Sequence, residues 1–396
     1  MISGKSILLG VTGGIAAYKA AAFCSTLVQR GAIVDVMMTA NAERFVGSLT
    51  FASLTARPVY TALWDAPERI PHIRLVREAD AILVAPATAN FIGKLGNGVA
   101  DDLLSSALLA ARVPIVVAPA MNSAMLAHDE TQANLARLRE RGYSIVEPEA
   151  GFLAERERGV GRLASEERML AALERAMFPE NPYRGKRVLI TAGPTREAFD
   201  PIRFISNAST GTMGIALARE AWIRGAEVTL LLGPTILHPL PEVQTRQFTT
   251  AHELSQLAAE EAQHHDIIFA TAAVADWRPE HYSPSKKKKN GDEQVTFLRT
   301  PDVLAMLGRE KHRQILVGFA AETDDHEANA REKLQRKNLD AIVLNDVRDE
   351  RGFGPGENTL TLITAGGEQA TLGTADKATL SSLLLDALLP LVESRP

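Results

Sequence analysis

Cysteine is nearly absent from this sequence, because Cys24 is the single cysteine among 396 residues. One thiol cannot form a disulfide within the chain, so we expect a fold held by its core in a reducing compartment, the cytoplasm. Runs of about 20 apolar residues, the length of a membrane span, are missing too, and no membrane partner is expected. The first apolar stretch is a short strand interrupted by Gly13 and Gly14, which does not resemble a secretory signal.

An excess of positive charge is also missing, since 43 lysines and arginines are set against 48 aspartates and glutamates. The net charge of -5 and the isoelectric point near 6.0 argue against the strongly basic surface of a nucleic-acid-binding domain. What is present is an ordinary globular composition, with 46% hydrophobic and 23% charged residues. A chain of this length can bury two or three cores, and we expect no nucleic-acid partner.

Both halves of the chain open with the same order of strand, glycine turn, helix and strand. The strands are continuous apolar runs, and the helices between them are amphipathic, which indicates parallel sheets covered on both faces. We therefore predict an α/β fold of two Rossmann-like three-layer domains with mainly parallel sheets. The matching segments are 5–11, 15–30 and 32–38 in the first half and 186–191, 211–224 and 228–232 in the second.

A break in this pattern separates the two halves. Residues 178–185 contain two prolines and a glycine and show no apolar periodicity. The break predicts one domain over residues 1–180 and another over residues 181–396. Before it, the glycine-rich and charged residues 148–165 are interpreted as an irregular loop that leads into a helix ending near Met177.

Polar loops follow two neighbouring strands of the first half. Pro86–Asn90 and Pro119–Met125 each come directly after a buried strand. Because ligands of open α/β sheets bind where parallel strands end, we expect Thr88, Asn90 and Asn122 to converge on one pocket.

Two further features of the first half are less specific. Gly13 and Gly14 follow a strand without the spacing of the dinucleotide fingerprint, so a plain strand-to-helix turn is the alternative to a ligand-binding turn. His72 follows Pro71 in a polar stretch, where histidines commonly serve as surface or capping residues. The alternative is an acid/base for the pocket that contains Asn122.

Taken together, these segments resemble the homo-oligomeric flavin-containing cysteine decarboxylases, including phosphopantothenoylcysteine decarboxylase. The resemblance covers nearly all of residues 1–177. It implies that flavin oxidises the substrate thiol, that carbon dioxide then leaves, and that the same flavin reduces the resulting enethiol. It also implies a homo-oligomer with the cofactor between subunits, His72 as the acid/base and Asn122 as the residue that holds the substrate amide. The implied FMN-binding residues are Gly13, Gly14, Thr39, Thr88 and Asn90.

One position departs from the pattern of this family. Many relatives place a cysteine before a Gly-x-Gly-Arg turn, where it donates a proton in the final reduction. Here Glu155 stands at the matching position, before Gly159–Arg162. A closed, apolar flap would raise the pKa of Glu155 and make it a proton donor. The alternative is a solvated loop charge.

The second half carries a glycine-rich segment after its first strand. Gly193 and Pro194 end the strand, and small residues up to Gly214 lead into a helix. Backbone N–H groups and the positive end of a helix at such a turn suit a phosphate.

Charged residues further along supply candidates for a nucleotide site. Asp276 follows an apolar strand, where the alternative role is a helix cap. Lys286 opens a run of four lysines, which is either a basic loop over phosphates or a solvated charge run. Lys333 and Lys337 are spaced i, i+4 on one helix, where lysines are usually surface residues. A site that activates an acyl group has to hold a triphosphate, a metal ion and developing negative charge.

From about Gly185 onward, the chain resembles phosphopantothenoylcysteine synthetase, the nucleotide-dependent ligase half of bacterial coenzyme A biosynthesis proteins. The resemblance implies CTP with Mg²⁺, and 4'-phosphopantothenate and L-cysteine as small-molecule substrates, without assigning metal ligands. It implies that Asn207 stabilises an acyl-cytidylate and that Lys286 acts on the phosphates. Thr212 replaces a lysine that relatives often carry. The implied CTP-binding residues are Asp276, Pro301, Asp302, Val303, Leu304, Phe319, Lys333 and Lys337.

The two resemblances together predict a bifunctional enzyme. Residues 181–396 would join 4'-phosphopantothenate to cysteine, and residues 1–180 would decarboxylate the product. Two alternatives stay open for the first domain, which either binds FMN without catalysis or stops at the enethiol because Glu155 replaces the flap cysteine.

Overall fold

The structure, a computed structural model, divides into two compact units. The units are Met1–Phe178 and Pro179–Pro396, and the division lies close to the predicted boundary at residue 180. Within the described residues, no helix combines the length and the apolar content that crossing a bilayer requires. The described residues are 2–63, 70–154, 156–178, 180, 182–286, 288, 294–322, 326–346 and 356–395.

Six parallel strands form the main sheet of the first unit. They are β1 (Ser6–Val11), β2 (Ile33–Met38), β3 (Val59–Tyr60), β4 (Ala81–Ala87), β5 (Ile115–Pro119) and β6 (Ser144–Ile145). Their order across the sheet is β3-β2-β1-β4-β5-β6. Leu8 of β1 lies opposite both Asp35 of β2 and Ile82 of β4. The carboxyl ends of β1, β4 and β5 therefore meet at one edge.

Helices cover both faces of this sheet. They are α1 (Ala17–Gln29), α2 (Ala40–Glu43), α3 (Ser48–Thr55), α4 (Pro71–Glu78), α5 (Ala89–Asn97), α6 (Leu103–Ala110), α7 (Ser123–Ala127), α8 (Asp129–Glu140) and α9 (Glu166–Met177). Ile7 belongs to a buried cluster with Phe23 of α1 and Leu173 of α9. Its neighbour Leu8 belongs to a second cluster with Leu104 of α6. Burial on both faces explains the continuous apolar run of β1, and the predicted α/β fold is confirmed.

A hairpin corrects one expectation for the first unit. The predicted irregular loop over residues 148–165 is wrong in part, because the segment contains the antiparallel strands β7 (Glu149–Phe152) and β8 (Arg158–Arg162). Gly151 and Gly159 lie opposite each other in this pair. Glycines and charges give the two strands no apolar alternation, which is the signal by which a half-buried strand is recognised.

The main sheet of the second unit has eight strands. The strands of this unit are β9 (Arg187–Ala192), β10 (Arg196–Ala198), β11 (Phe204–Ser206), β12 (Glu227–Leu232), β13 (Gln244–Gln247), β14 (Ile267–Ala270), β15 (Trp277–Pro279), β16 (Phe297–Arg299), β17 (Ile315–Glu322), β18 (Ala341–Asp346), β19 (Asn358–Thr364) and β20 (Gln369–Ala375). The order in the main sheet is β13-β12-β9-β14-β17-β18-β19-β20. The strands are parallel as far as β18, and β19 and β20 are antiparallel. Two small antiparallel pairs, β10 with β11 and β15 with β16, lie outside it.

The helices of the second unit include one break that the sequence did not predict. They are α10 (Thr212–Ile223), α11 (Ala251–Ala262), α12 (Val303–Glu310), α13 (His326–Arg336), α14 (Lys377–Ala387) and α15 (Leu389–Glu393). The sequence predicts one closing helix over residues 377–392, but the structure divides it at Leu388. Pro390 lies in the first turn of α15, where its missing N–H interrupts no helical hydrogen bond.

Candidate functional site

A cavity of about 730 Å³ lies at the carboxyl edge of the six-stranded sheet. Its lining comes from the loops after β1, β4 and β5 and from the hairpin of β7 and β8. Four predicted residues of the first unit lie here: Gly13, Gly14, Thr88 and Asn122. The volume is in the range of small-molecule sites.

A buried hydroxyl group joins two of these loops. Thr12 is 1% exposed; its Oγ1 donates to the carbonyl oxygen of Pro86 at 2.6 Å and accepts from the backbone N–H of Thr88 at 3.1 Å. Thr88 in turn caps α5 by accepting the backbone N–H of Phe91. Thr12 therefore fixes the end of β1 against the loop after β4.

One end of this cavity is positive. Ile15 and Ala16 line it immediately before α1, and no side chain caps that helix. Lys19 and Arg162 line it as well. Burial lowers the pKa of the Lys19 ammonium group and the Arg162 guanidinium lowers it further, whereas Glu149 acts in the opposite direction. A helix start beside two cationic side chains suits a phosphate group.

The remaining wall of this cavity is largely apolar. Met121 and Met125 contribute to it from the loop after β5, and Phe152 and Leu153 contribute from the hairpin. A phosphate-binding end next to an apolar slot fits flavin mononucleotide, which joins a phosphate to a flat ring system.

The hairpin packs tightly on the loop that carries Asn122. The backbone N–H of Met121 donates to the carbonyl oxygen of Gly161 at 3.0 Å, and Ser123 Oγ donates to that of Val160 at 2.8 Å. A Cβ atom on Gly161 would lie 2.1 Å from the carbonyl oxygen of Met121. Position 161 therefore requires glycine. Glu155, the predicted proton donor of this hairpin, lies outside the described residues.

Three predicted residues of the first unit do not line this cavity. Thr39 caps α2, where its Oγ1 accepts the backbone N–H of Ala42 at 3.3 Å. Asn90 is exposed on α5. His72 lies on α4 and is half-buried. Its Nδ1 atom is buried and has no hydrogen-bond partner among the described residues.

Two adjoining cavities, of about 500 and 450 Å³, lie at the carboxyl edge of the main sheet of the second unit. We call the first the nucleotide cavity and the second the loop cavity. Both are lined by Ala272, Val274, Asp276, Phe319 and Lys333. All eight residues predicted to bind CTP line the nucleotide cavity, namely Asp276, Pro301, Asp302, Val303, Leu304, Phe319, Lys333 and Lys337.

Asp302 and Lys337 form an ion pair in the nucleotide cavity. Asp302 Oδ2 lies 2.7 Å from Lys337 Nζ, and Oδ1 accepts the backbone N–H of Ala305 at the start of α12. Burial raises the pKa of Asp302, but Lys337, the Ala305 N–H and Lys333 outweigh it and hold the pKa below its usual value. Asp302 is therefore ionised at neutral pH and orients Lys337.

The glycine-rich segment of the second unit forms much of the loop cavity. Asn207 lines it and donates from Nδ2 to the carbonyl oxygen of Val274 at 3.0 Å, which brings Asn207 to the boundary with the nucleotide cavity. Gly211 precedes α10 with φ at +79°, a value that favours glycine. Thr212, the first residue of α10, shares a hydrogen bond with Thr210 through their hydroxyl groups at 2.7 Å.

The two described lysines of the lysine run, Lys286 and Lys288, line neither cavity. Lys286 is exposed. Lys287 and Lys289 lie outside the described residues. No group of three or more histidine, cysteine, aspartate or glutamate side chains within the described ranges is arranged to hold a metal ion.

Two family models match the chain, one in each unit. The model described as DNA/pantothenate metabolism flavoprotein C-terminal domain matches residues 183–391, and the model described as Flavoprotein matches residues 1–177. The chain is also 45% identical over 395 residues to the coenzyme A biosynthesis bifunctional protein CoaBC of Bacillus subtilis (strain 168), with 98% of this chain and 97% of the relative covered. The chain belongs to this CoaBC family.

Solved structures with similar sequences cover one half of this CoaBC family member each. The C-terminal domain of a coenzyme A biosynthesis bifunctional protein CoaBC is 38% identical, with a TM-score of 0.47, and the match covers 54% of this chain and 99% of that one. The FMN-dependent cysteine decarboxylase SpaF is 30% identical, with a TM-score of 0.39, and the match covers 43% and 99%.

Sequence reasoning missed three residues of the loop cavity in this CoaBC family member. They are Asn345, Asn358 and Lys377. Asn345 lies at the carboxyl end of the parallel strand β18. Ligands bind at such strand ends, so the reasoning that identified Asp276 also applies to Asn345. No local pattern marks Asn358 or Lys377, because the antiparallel strands β19 and β20 bring them to the cavity.

Proposed function

We propose that this chain is a bifunctional enzyme of coenzyme A biosynthesis. The second unit joins 4'-phosphopantothenate to L-cysteine with CTP and Mg²⁺, and the first unit decarboxylates the product to 4'-phosphopantetheine with FMN. The observation that carries the proposal is the convergence of all eight predicted CTP ligands on one cavity, which shares Asp276, Phe319 and Lys333 with the cavity of Asn207. The name of the Bacillus subtilis relative supports the pairing of two activities.

For ligation, the second unit has to hold a nucleotide beside a carboxylate. Lys333 and Lys337 offer positive charge in the nucleotide cavity, and Asp302 keeps Lys337 oriented toward it. Asn207 lies where the two cavities meet, so we propose that it contacts the acyl-cytidylate formed there. Cysteine then displaces cytidylate and forms the amide bond.

For decarboxylation, the first unit has to orient its substrate and exclude water. FMN, when bound, takes two electrons from the substrate thiol and later returns them. We propose that Gly13, Gly14 and the start of α1 hold its phosphate, and that Thr88 contacts it beside them. Asn122 holds the substrate amide, and the hairpin of β7 and β8 covers the cavity.

The position of His72 leads us to propose a homo-oligomer. His72 does not line the cavity of its own chain, and its buried Nδ1 has no partner among the described residues. A second copy of the chain would bring its own His72 to this cavity as the acid/base. Thr39 and Asn90, which also lie away from the cavity, stay predictions for the same arrangement.

A single incubation tests both activities. The purified chain is mixed with 4'-phosphopantothenate, L-cysteine, CTP and Mg²⁺, and the products are measured by mass spectrometry. We expect 4'-phosphopantetheine, carbon dioxide and pyrophosphate. If no phosphopantothenoylcysteine or later product forms, the ligase proposal is wrong.

The same incubation distinguishes two alternatives for the first unit, which the replacement of the flap cysteine by Glu155 favours. Accumulation of phosphopantothenoylcysteine would mean that the first unit binds FMN without catalysis. Accumulation of the enethiol, reversed by added reductant, would mean that Glu155 does not donate the last proton.

A further inference from the structure

A buried lysine lines the loop cavity. Lys377, the first residue of α14, is 6% exposed. Its Nζ atom donates to the carbonyl oxygen of Gly356 at 3.0 Å and to Asn358 Oδ1 at 2.8 Å. An ammonium group has three N–H donors, so these two bonds leave one N–H for a further acceptor.

The charge of Lys377 is not neutralised by its described neighbours. Both acceptors are neutral, and Lys377 forms no ion pair with any residue that the structure describes. Burial lowers the pKa of Lys377, and no carboxylate of the described residues opposes the shift. A buried charge without a counter-ion destabilises a fold. A ligand that supplies a negative group would remove this cost.

Lys311 shows the usual alternative in the same unit. Its side chain is 10% exposed, and its Nζ lies 2.9 Å from Asp340 Oδ2. Lys311 also lies outside both cavities of the proposed ligase site. The two lysines therefore differ in one respect that matters here, the presence of a carboxylate partner.

Lys377 is connected to the edge of the sheet by two amide side chains. Asn358 Nδ2 donates to Asn345 Oδ1 at 2.9 Å. Asn345 lies at the carboxyl end of β18, Asn358 opens β19, and both line the loop cavity with Lys377. Fixing Lys377 therefore fixes the orientation of Asn345.

We propose that Lys377 binds a phosphate group of the ligase substrates through its third N–H and, through Asn358, positions Asn345 beside that phosphate. The charge lies in the same cavity as the glycine-rich segment, where Thr212 offers a hydroxyl group and no charge. The start of α10 in the same cavity favours the same kind of ligand. This inference rests on the proposed ligase function. The phosphate comes from either CTP or 4'-phosphopantothenate.

The direct test measures binding of inorganic tripolyphosphate to the full-length protein by calorimetry. A hydrogen bond to a charged group is worth enough that Lys377→Gln is expected to weaken binding about tenfold or more. Lys377→Arg, which keeps the charge, is expected to retain most of the affinity. The matched control Lys311→Gln is expected to lower the melting temperature and leave tripolyphosphate affinity unchanged.

A second variant keeps Lys377 and places a carboxylate next to its positive charge. Asn358→Asp places a carboxylate at the position that accepts from Lys377 Nζ and replaces the Nδ2 donor to Asn345 by an oxygen, to which the Asn345 amide donates once it has turned. Because the new carboxylate pairs with the Lys377 charge, tripolyphosphate binding is expected to weaken. This variant decides the question even if Lys377→Gln does not fold. Unchanged affinity in Asn358→Asp, or in folded Lys377→Gln, overturns the proposal.

Steady-state ligation by Lys377→Gln identifies the source of the phosphate. A rise of the KM for CTP assigns Lys377 to the triphosphate, and a rise of the KM for 4'-phosphopantothenate assigns it to that substrate. If the unsubstituted protein does not ligate, the proposed function fails, whereas tripolyphosphate binding still tests the lysine. If it ligates and neither KM changes in the variant, the inference alone fails.

Discussion

Thr12 carries a hydroxyl group that the first unit buries and bonds on both sides, to Pro86 and to Thr88. Thr12→Val keeps the shape, removes the hydroxyl donor to the carbonyl oxygen of Pro86, which keeps the backbone N–H of Thr12, and leaves the backbone N–H of Thr88 without its acceptor. The loss is expected to weaken FMN binding about tenfold, because an unsatisfied buried group costs about 1–3 kcal/mol. Quenching of flavin fluorescence measures the affinity.

Two further variants control this prediction. Thr12→Ser keeps the hydroxyl group and is expected to bind FMN as the unsubstituted protein does. Thr26→Val removes an exposed hydroxyl from α1, away from the cavity, and is expected to have no effect. Equal FMN affinity in Thr12→Val and Thr12→Ser would show that the two bonds of Thr12 do not position the loops.

Cys24 lies in the core of the first unit, 0% exposed, and burial raises the pKa of its thiol to about 12. The thiolate is the reactive form, so iodoacetamide at pH 8 is expected to label the unfolded chain at least about a hundredfold faster than the native protein. Mass spectrometry of the alkylated peptide measures both rates. Rapid labelling of the native protein would contradict the burial of Cys24.

The same thiol gives the stability of the first unit a dependence on pH. Since the folded pKa is raised, the contribution is fully present below the unfolded pKa of about 8.5 and is lost as the pH rises toward the folded value. Urea unfolding at pH 8 and pH 10.5 is expected to show a larger loss of unfolding free energy for the unsubstituted protein than for Cys24→Ala. Equal losses in the two proteins would contradict the raised pKa.

At the level of residues, the site of the second unit was the more predictable one. The eight residues that the family resemblance implies as CTP ligands line one cavity. Lys377 escaped prediction because a single lysine at the start of a helix has no spacing pattern, and the pairing of β18 with β19 and of β19 with β20 brings it to the site. His72 is expected from sequence only in a polar stretch after Pro71, and the structure places it on the helix α4.

Among the elements, the hairpin of β7 and β8 depends most on a single residue type. Gly161→Ala places a Cβ atom 2.1 Å from the carbonyl oxygen of Met121, so the hairpin is expected to move away from the loop that carries Asn122. Faster tryptic cleavage at Arg156 and Arg158 measures this opening. The melting temperature is expected to change little, because the hairpin lies outside the main sheet.

Gly47→Ala serves as the matched control, since no heavy atom lies within 4 Å of the Cβ position there. It is expected to leave the cleavage rate unchanged. If Gly161→Ala is cleaved no faster than Gly47→Ala, then the hairpin tolerates the added carbon and does not depend on close packing.

The elements that are buried on both faces are the ones that the sequence predicts best. The apolar strands β1 and β9 are evident from sequence because both faces of each sheet are covered. The hairpin is stabilised instead by two contacts with the loop after β5, which are distant in the chain and leave no periodic pattern. The break between α14 and α15 is indicated in the sequence by Pro390, which lies in the first turn of α15.

On the scale of the whole molecule, the division into two units predicts that the two activities can be lost separately. His72→Asn is expected to lower carbon dioxide release from supplied phosphopantothenoylcysteine at least about a hundredfold, the order of an acid/base contribution. Ligation by the same variant is expected to be unchanged. Pyrophosphate release measures ligation, and its loss in His72→Asn would contradict the independence of the units.

The proposed homo-oligomer can be tested with the same variant. Co-expression of His72→Asn chains with Asn122→Ala chains forms mixed assemblies in which some cavities have Asn122 from one chain and His72 from another. Decarboxylation is expected to reappear in these mixtures, although each variant alone is inactive. No recovery from assemblies shown to be mixed would place both residues in the same chain.

The antiparallel strands β19 and β20 return the chain to the edge of the sheet where the glycine-rich segment lies, and Lys377 follows them directly. During translation, the segment around Asn207 leaves the ribosome long before Lys377 does. The ligation centre is therefore assembled late, after the flavin-binding half has had time to fold. Translation that stops between these two points is expected to yield a polypeptide that binds flavin but lacks the lysine of the loop cavity.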